Sequence, residues 1–351
     1  VTTASPPPDK ADPLLGKVFA GRYQVNNLVA SGGMGTVYRA RQRGIERWVA
    51  LKVLDKHLSA DPAVGRRFYS EMRAMARVEH PHVVRVYDFG HSEDGELFLV
   101  MELLRGRTLS VLLDAEAPLA PARVAKLGAA IARGLAAAHA AGVVHRDLKP
   151  DNVLLTDQYG PKDWPKILDF GLARVGGDLG QEVTGVGKRV GTPCYMAPEY
   201  IEQRQVDARS DLYALGAVLY EAATGRLPYK GSAREVLQQQ IDGPPLPPSK
   251  AVAGGCPAWL DALVLECMAA SPDLRPASAE VVARRLEAAS ASPDPMSEDS
   301  VSQILDVVDR RRRRDGRLEV FVVASAVASV VAGGGLCLAG VLAGGLVTFG
   351  S

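Results

Sequence analysis

Cysteine is scarce. The chain has four in 351 residues, Cys194, Cys256, Cys267 and Cys337, with no two at a spacing that grips a metal. That excludes a disulfide framework and fits a reducing compartment. Net charge is almost absent as well. Lys and Arg number 41 against 40 Asp and Glu, a formal +1, so no chain-wide field points to nucleic acid as a partner. No internal repeat is visible, and no N-terminal stretch reads as a signal peptide. The chain begins at Val1 without a methionine, which suggests a fragment or a processed product. Formal charge is missing altogether from Val320 to Ser351, directly after a run of arginines from Arg310 to Arg314.

What is present is core material. At 47% hydrophobic residues the chain is long enough for one large domain or two lobes, each with its own core. The leader "TTASPPPDKADP" is proline-rich and reads as disordered over residues 1–20. "RYQVNNLVA", "GTVYRARQ", "RWVALKVL" and "LFLVMELL" are short β-rich runs split by turn residues, so an antiparallel sheet is expected over 21–104. Among them, "AVGRRFYSEMRAMARV" has helical spacing. From residue 105 to 290 the texture changes to long Ala/Leu helices. One is "ARVAKLGAAIARGLAAAHAAG", opened by Pro121 and closed by Gly142. "SDLYALGAVLYEAATG" is apolar nearly all round, as a helix buried in the centre of a lobe should be. "ASPDPMSEDS" opens an exit linker over 291–309.

The polar residues concentrate in "VVHRDLKPDN", Val143 to Asn152. Unpartnered charge is expensive to bury, so such a stretch is an exposed loop or a polar site. "ILDFGLAR" supplies Asp169 after an apolar strand. With Asn152 it offers hard oxygen ligands suited to Mg²⁺ on a nucleotide phosphate. Asp147 is then left as the carboxylate that accepts a hydroxyl proton, with Lys149 as the cation and His145 as a structural support. "ASGGMGTV", Ala30 to Val37, joins two expected strands, and its glycines let a hairpin backbone approach phosphates. "VALK" lies on a later strand, where alternation puts Ala50 and Lys52 on one face. Glu71 on the following helix is in reach of Lys52 as an ion pair. Each of these features is unremarkable alone.

Together and in this order, they match the signature set of protein kinases. The chain resembles eukaryotic-like serine/threonine protein kinases, especially the receptor-like membrane kinases of bacteria. The resemblance runs from about residue 21 to 288 through "SGGMGTVY", "VALK", "HPHVV", "HRDLKPDN", "DFG", "GTPCYMAPE", "SDLYALG" and "DLRPAS". It implies a bilobal α+β fold with a small β-rich lobe before a larger helical one. It implies ATP and Mg²⁺, with Mn²⁺ as a substitute, and protein substrates.

By the same resemblance, Ala30, Ser31, Gly32, Gly33, Met34 and Gly35 form the phosphate loop, while Val37, Ala50 and Leu154 sandwich adenine. Met101 is the gatekeeper, and the backbone of Glu102 and Leu104 reads the adenine edge. Lys52, fixed by Glu71, holds phosphates. Asp147 is the base, Lys149 contacts the γ-phosphate, and Asn152 and Asp169 hold metal. Asp211 braces the catalytic loop, and Glu199 pairs with Arg275. Arg146 and Arg174 are a receptor for a phosphate on Thr184, whereas Thr192 belongs to the substrate platform. Ala30 departs from the family, which usually has glycine there; it is the one feature in favour of the rival reading, a nucleotide-binding pseudokinase scaffold.

The uncharged run 320–350 exceeds the roughly 20 apolar residues a bilayer crossing needs, and the basic stretch 310–319 precedes it. The sequence therefore predicts a single C-terminal transmembrane helix in the cell (inner) membrane, contact with membrane lipid and a cytoplasmic kinase domain. Gly340 and Gly344 stand at the small-xxx-small spacing of helix packing, and a homodimer is a further expectation.

Overall fold

A computed structural model describes residues 12–170, 193–201 and 206–291. Six strands come first in space: β1 (Val18–Phe19), β2 (Tyr23–Gly32), β3 (Gly35–Gln42) and β4 (Arg47–Leu54), then, after α1 (Lys56–Ser59) and α2 (Pro62–Met75), β5 (Val86–His91) and β6 (Leu97–Glu102). They form one antiparallel sheet in the order β1-β2-β3-β4-β6-β5. Period-two alternation sorts β4 cleanly. Val49, Leu51 and Val53 join an outer core with Tyr23, Tyr38, Phe98 and Val100. Ala50 and Leu54 face the other way, into the large core that continues through the second lobe. Lys52 lies on that inner face and is buried.

Helix α2 begins at Pro62, with the Asp61 side chain accepting the Ala63 N–H at 2.7 Å, and packs Val64, Phe68, Met72 and Met75 against the sheet. The second lobe follows: β7 (Arg107–Thr108), α3 (Leu109–Glu116), α4 (Pro121–Ala140), β8 (Val153–Thr156), β9 (Trp164–Ile167), α5 (Pro198–Ile201), α6 (Ala208–Thr224), α7 (Ala233–Asp242), α8 (Pro248–Ala251), α9 (Ala258–Cys267) and α10 (Ala279–Ala291). Strands β7, β8 and β9 form a small second sheet. A parallel bridge from Val83 to Ile167 ties the segment after α2 to it. As its composition implies, α6 is buried nearly all round. It starts in a capping box between Asp207 and Ser210 and ends where Gly225 turns left-handed, at φ +66°.

The bilobal α+β kinase fold is thus present, but the expected fold class needs one correction. Among the described residues, no helix is long and apolar enough to cross a membrane. The longest, α4, carries Arg123, Lys126 and Arg133 on one side and buries the other inside the helical lobe. The segments 310–319 and 320–350 lie outside the described residues. The transmembrane helix, the membrane-lipid contact and the single-pass inner-membrane placement are accordingly withdrawn.

Candidate active site

The hairpin β2–β3 turns through Gly33 and Met34, with Gly32 opposite Gly35. Gly35 has φ +141°, and a Cβ there would lie 2.2 Å from the Val53 carbonyl oxygen, so no other residue fits without moving β4. Gly32 and Gly33 are different: a Cβ at either meets nothing within 4 Å. Packing does not require those two glycines, which leaves room for a ligand as the use of their bare backbone. Ala30 is exposed and pairs with Val37 in the ladder, so its methyl occupies no interior space. Ser31 Oγ meets Thr36 Oγ1 at 3.3 Å, and Met34 is half-buried against the core.

Beneath the hairpin, Ala50 pairs with Met101 across β4 and β6, both buried, and Leu154 lies on β8 in the opposite lobe. Val37 and Leu104, which follows the end of β6, are partly buried and pack against the core that Ala50 and Met101 join. Lys52 Nζ donates to Asp169 Oδ1 at 2.9 Å. Glu71 Oε1 instead lies 3.0 Å from Arg146 Nη1. The expected Lys52–Glu71 pair is not among the ion pairs of the described residues. Two carboxylates and two cations meet here, and each cation has taken the partner that residue order did not suggest. The side chain of Arg146, expected as a phosphate receptor, is engaged by Glu71. Thr184, Thr192 and Arg174 lie outside the described residues.

The loop after α4 is held mainly from below. Both oxygens of buried Asp211 accept backbone N–H groups, from His145 at 2.7 Å and Arg146 at 2.8 Å, and His139 Nε2 adds a contact of 2.8 Å. His145 is fully buried. Its Nε2 reaches the Leu168 carbonyl at 2.8 Å, and its Nδ1 accepts the Asp147 N–H at 3.2 Å, which fixes the tautomer as Nε2–H. Tyr200 OH donates to the Arg146 carbonyl at 3.1 Å. These bonds hold Arg146 at φ +69°, and Asp169 sits at φ +55°. Left-handed backbone at two non-glycine residues costs about 1–3 kcal/mol each and persists only where surrounding contacts impose it.

The result is an ordered carboxylate. Asp147 accepts from Lys149 Nζ at 2.8 and 3.0 Å and from Asn152 Nδ2 at 3.0 Å, while Asn152 Nδ2 also donates to the Asp147 carbonyl at 2.6 Å. With its amide nitrogen thus occupied, Asn152 turns its side-chain oxygen, which takes no hydrogen bond from the described residues, into a candidate hard ligand. Asn152 and Asp169 are joined through a bond from Leu168 N to the Asn152 carbonyl. Two oxygen donors suit a cation that takes the rest of its shell from phosphate and water. In this arrangement one Asp169 oxygen is held by Lys52. Farther down, Arg275 is fully buried with every guanidinium N–H used, on both oxygens of Glu199 (2.7 and 2.8 Å) and on the carbonyls of Ala269, Ala270 and Arg209.

One network escapes sequence reasoning. The Glu102 side chain is buried and accepts from Lys166 Nζ at 2.6 Å, from Arg85 N at 2.8 Å and from Tyr159 OH. Lys166 sits 4.6 Å from the centre of the Tyr159 ring. A lysine in an apolar strand, as in "WPKILDF", is the only sequence signal that something must neutralise it.

A glycine hairpin and a lysine from the first lobe, with Asp169 on that lysine and a braced Asp147 in the second, define the site of a protein kinase domain. The protein kinase domain family matches residues 23–286, and the chain belongs to it. It is a eukaryotic-like serine/threonine type of domain. Serine/threonine-protein kinase pkn3 of Myxococcus xanthus is 40% identical over 281 residues, covering 79% of this chain and 51% of that protein. Serine/threonine-protein kinase PknE of Mycobacterium tuberculosis is 39% identical over 274 residues, covering 78% and 47%. The chain spans about half the length of these relatives. The crystal structure of the Mycobacterium tuberculosis PknI kinase domain aligns at a TM-score of 0.62 and 30% identity, over 78% of this chain and 97% of that one.

Proposed function

We propose that this chain transfers the γ-phosphoryl group of ATP to serine or threonine hydroxyls of proteins. The observation that carries the reading is the Asp147 carboxylate, held by Lys149 and Asn152 in a loop anchored on Asp211 and tied through the Leu168 N–H on the Asn152 carbonyl to the segment of Asp169, which pairs with Lys52. Asp147 orients the acceptor hydroxyl and takes its proton as that oxygen bonds to the γ-phosphorus and the bond from that phosphorus to the β,γ-bridging oxygen breaks, releasing ADP. Lys149 offsets the charge gathered there. Gly32 and Gly33 leave the hairpin backbone open to phosphates, and Lys52 holds them from β4. Ala50, Val37, Met101 and Leu154 supply the apolar walls for the base, with the backbone of Glu102 and Leu104 along its edge. Asn152 and Asp169 hold Mg²⁺, or Mn²⁺ in its place, which when bound neutralises charge on the phosphates.

The test is phosphate transfer from radiolabelled ATP to the chain itself and to an added protein acceptor. Asp147→Asn keeps shape and removes the proton acceptor, so it should bind nucleotide and lose transfer by at least about 100-fold. If the unaltered chain binds ATP and transfers nothing, the pseudokinase scaffold replaces this reading. If Asp147→Asn turns over normally, the role given to Asp147 is wrong.

A further inference from the structure

Away from the site, on the outer side of α2, lies a groove of about 830 Å³ between the turn joining α1 to α2 and the end of β5. Arg66, Arg73 and Arg77 line it. Their spacing of seven and four puts them in one stripe along the helix. All three are exposed, and none forms an ion pair among the described residues. The one acid in the lining, Asp61, is occupied by the Ala63 N–H as the cap of α2. The remaining wall is Tyr69, whose hydroxyl meets His91 Nδ1 at 2.9 Å, with Ala60, Pro62 and Ala74 adding apolar surface. A long groove with three unpaired guanidinium groups and an apolar wall complements an acidic polypeptide that carries some apolar side chains.

The chain itself holds such a segment. Residues 292–309 contain Asp294, Glu298, Asp299, Asp306 and Asp309 and not one lysine or arginine, with Val301, Ile304, Leu305 and Val308 among them. Their point of departure is on the correct flank. Helix α10, which ends at Ala291, is held to α4 by Arg133, which reaches Glu280 and Glu287 at 2.6 Å. The next residue of α4, Gly134, packs against His82, whose carbonyl oxygen a Cβ there would meet at 3.1 Å. His82 is five residues beyond Arg77, within about 18 Å along the chain. Eighteen extended residues span about 60 Å, ample for the path from Ala291 to Arg66.

We propose that residues 292–309 dock in this groove of their own chain, with their carboxylates on Arg66, Arg73 and Arg77. The proposal is independent of phosphate transfer, and so is its test. In the full chain carrying Arg73→Lys, a zero-length carbodiimide joins an amine only to a carboxylate in contact with it. Peptide mass spectrometry should find the introduced amine joined to Asp294, Glu298, Asp299, Asp306 or Asp309. In a mixture of ¹⁵N-labelled and unlabelled chains, the joined peptides should carry the same label. Adding Arg66→Glu and Arg77→Glu, both exposed, should leave thermal unfolding in place and lower the yield roughly tenfold, as the reversal of two exposed ion pairs would. Mixed-label products would overturn the proposal by making a second copy the occupant. Coupling to Asp61 alone, or a yield indifferent to the two reversals, would overturn it outright.

Discussion

At the scale of single residues, Arg275 and Glu199 show how a buried ion pair is made tolerable. Desolvation is the largest influence on Glu199 and by itself would push its carboxyl up. Hydrogen bonds and charge from Arg275, with the Ser210 hydroxyl at 2.6 Å, outweigh it and hold the group below the ordinary carboxylate value of 4.5. A depressed carboxyl contributes stability that is complete above its unfolded value and is lost as pH falls through its folded one. Glu199→Gln should therefore flatten the decline of stability on the acid side of pH 4.5, measured by urea titration across that range; an unchanged slope would mean that Glu199 does not titrate with folding. Arg275→Ala leaves the carboxylate buried without its cation. It should cost about 3–5 kcal/mol at neutral pH. The buried thiols behave as packing groups by the same physics: burial pushes Cys194 up to about 11 and Cys267 up to about 12, so neither is a nucleophile near neutrality.

At the scale of elements, the hairpin β2–β3 separates two reasons for glycine that the sequence string "SGGMG" presents as one. Gly35 answers to the fold, because its φ and the nearby Val53 carbonyl exclude a side chain. Gly33 answers to no neighbour among the described residues. Gly35→Ala should therefore destabilise the small lobe by about 1–3 kcal/mol and weaken nucleotide binding with it. Gly33→Ala should leave the unfolding temperature within about a degree while raising the Kd for ATP, since only an approaching phosphate would feel the methyl. Calorimetric scanning beside nucleotide titration reads both. Equal losses of stability in the two variants would refute the distinction. Helix α2 adds a second lesson. Its spacing announced a helix, and the structure buries Val64, Phe68, Met72 and Met75 on one face, yet the spacing did not reveal which cation Glu71 takes. Periodicity fixes a side chain's direction, while the choice between Lys52 and Arg146 depends on how two lobes are placed.

At the scale of the whole molecule, the same division between local and distant information accounts for what the sequence made legible. The sheet, the buried α6 and the polar loop at Asp147 follow from alternation, apolar content and dense polar spacing. The bracing of that loop by Asp211, 64 residues beyond Asp147, came only with the family resemblance. The Glu102 cluster was not legible at all, since Lys166 lies 64 residues from its partner and Tyr159 lies 57. That cluster is also where the lobes are fastened. Glu102 ends β6 of the large sheet, Lys166 belongs to β9 of the small one, and Lys166 also donates to the Val83 carbonyl at 3.2 Å. Removing the cation should therefore loosen the joint as well as strand a charge. Lys166→Met, similar in volume and apolar, leaves the Glu102 carboxylate buried with Tyr159 and Arg85 N, and should lose about 3–5 kcal/mol. Adding Glu102→Gln removes the stranded charge and should return much of that loss, because a neutral pair in the same space has little desolvation to repay. Denaturant unfolding of the two single variants and the double variant closes the cycle. A double variant no more stable than Lys166→Met would show that the cost lies in lost packing under Tyr159, and that the charge pair does not fasten the lobes.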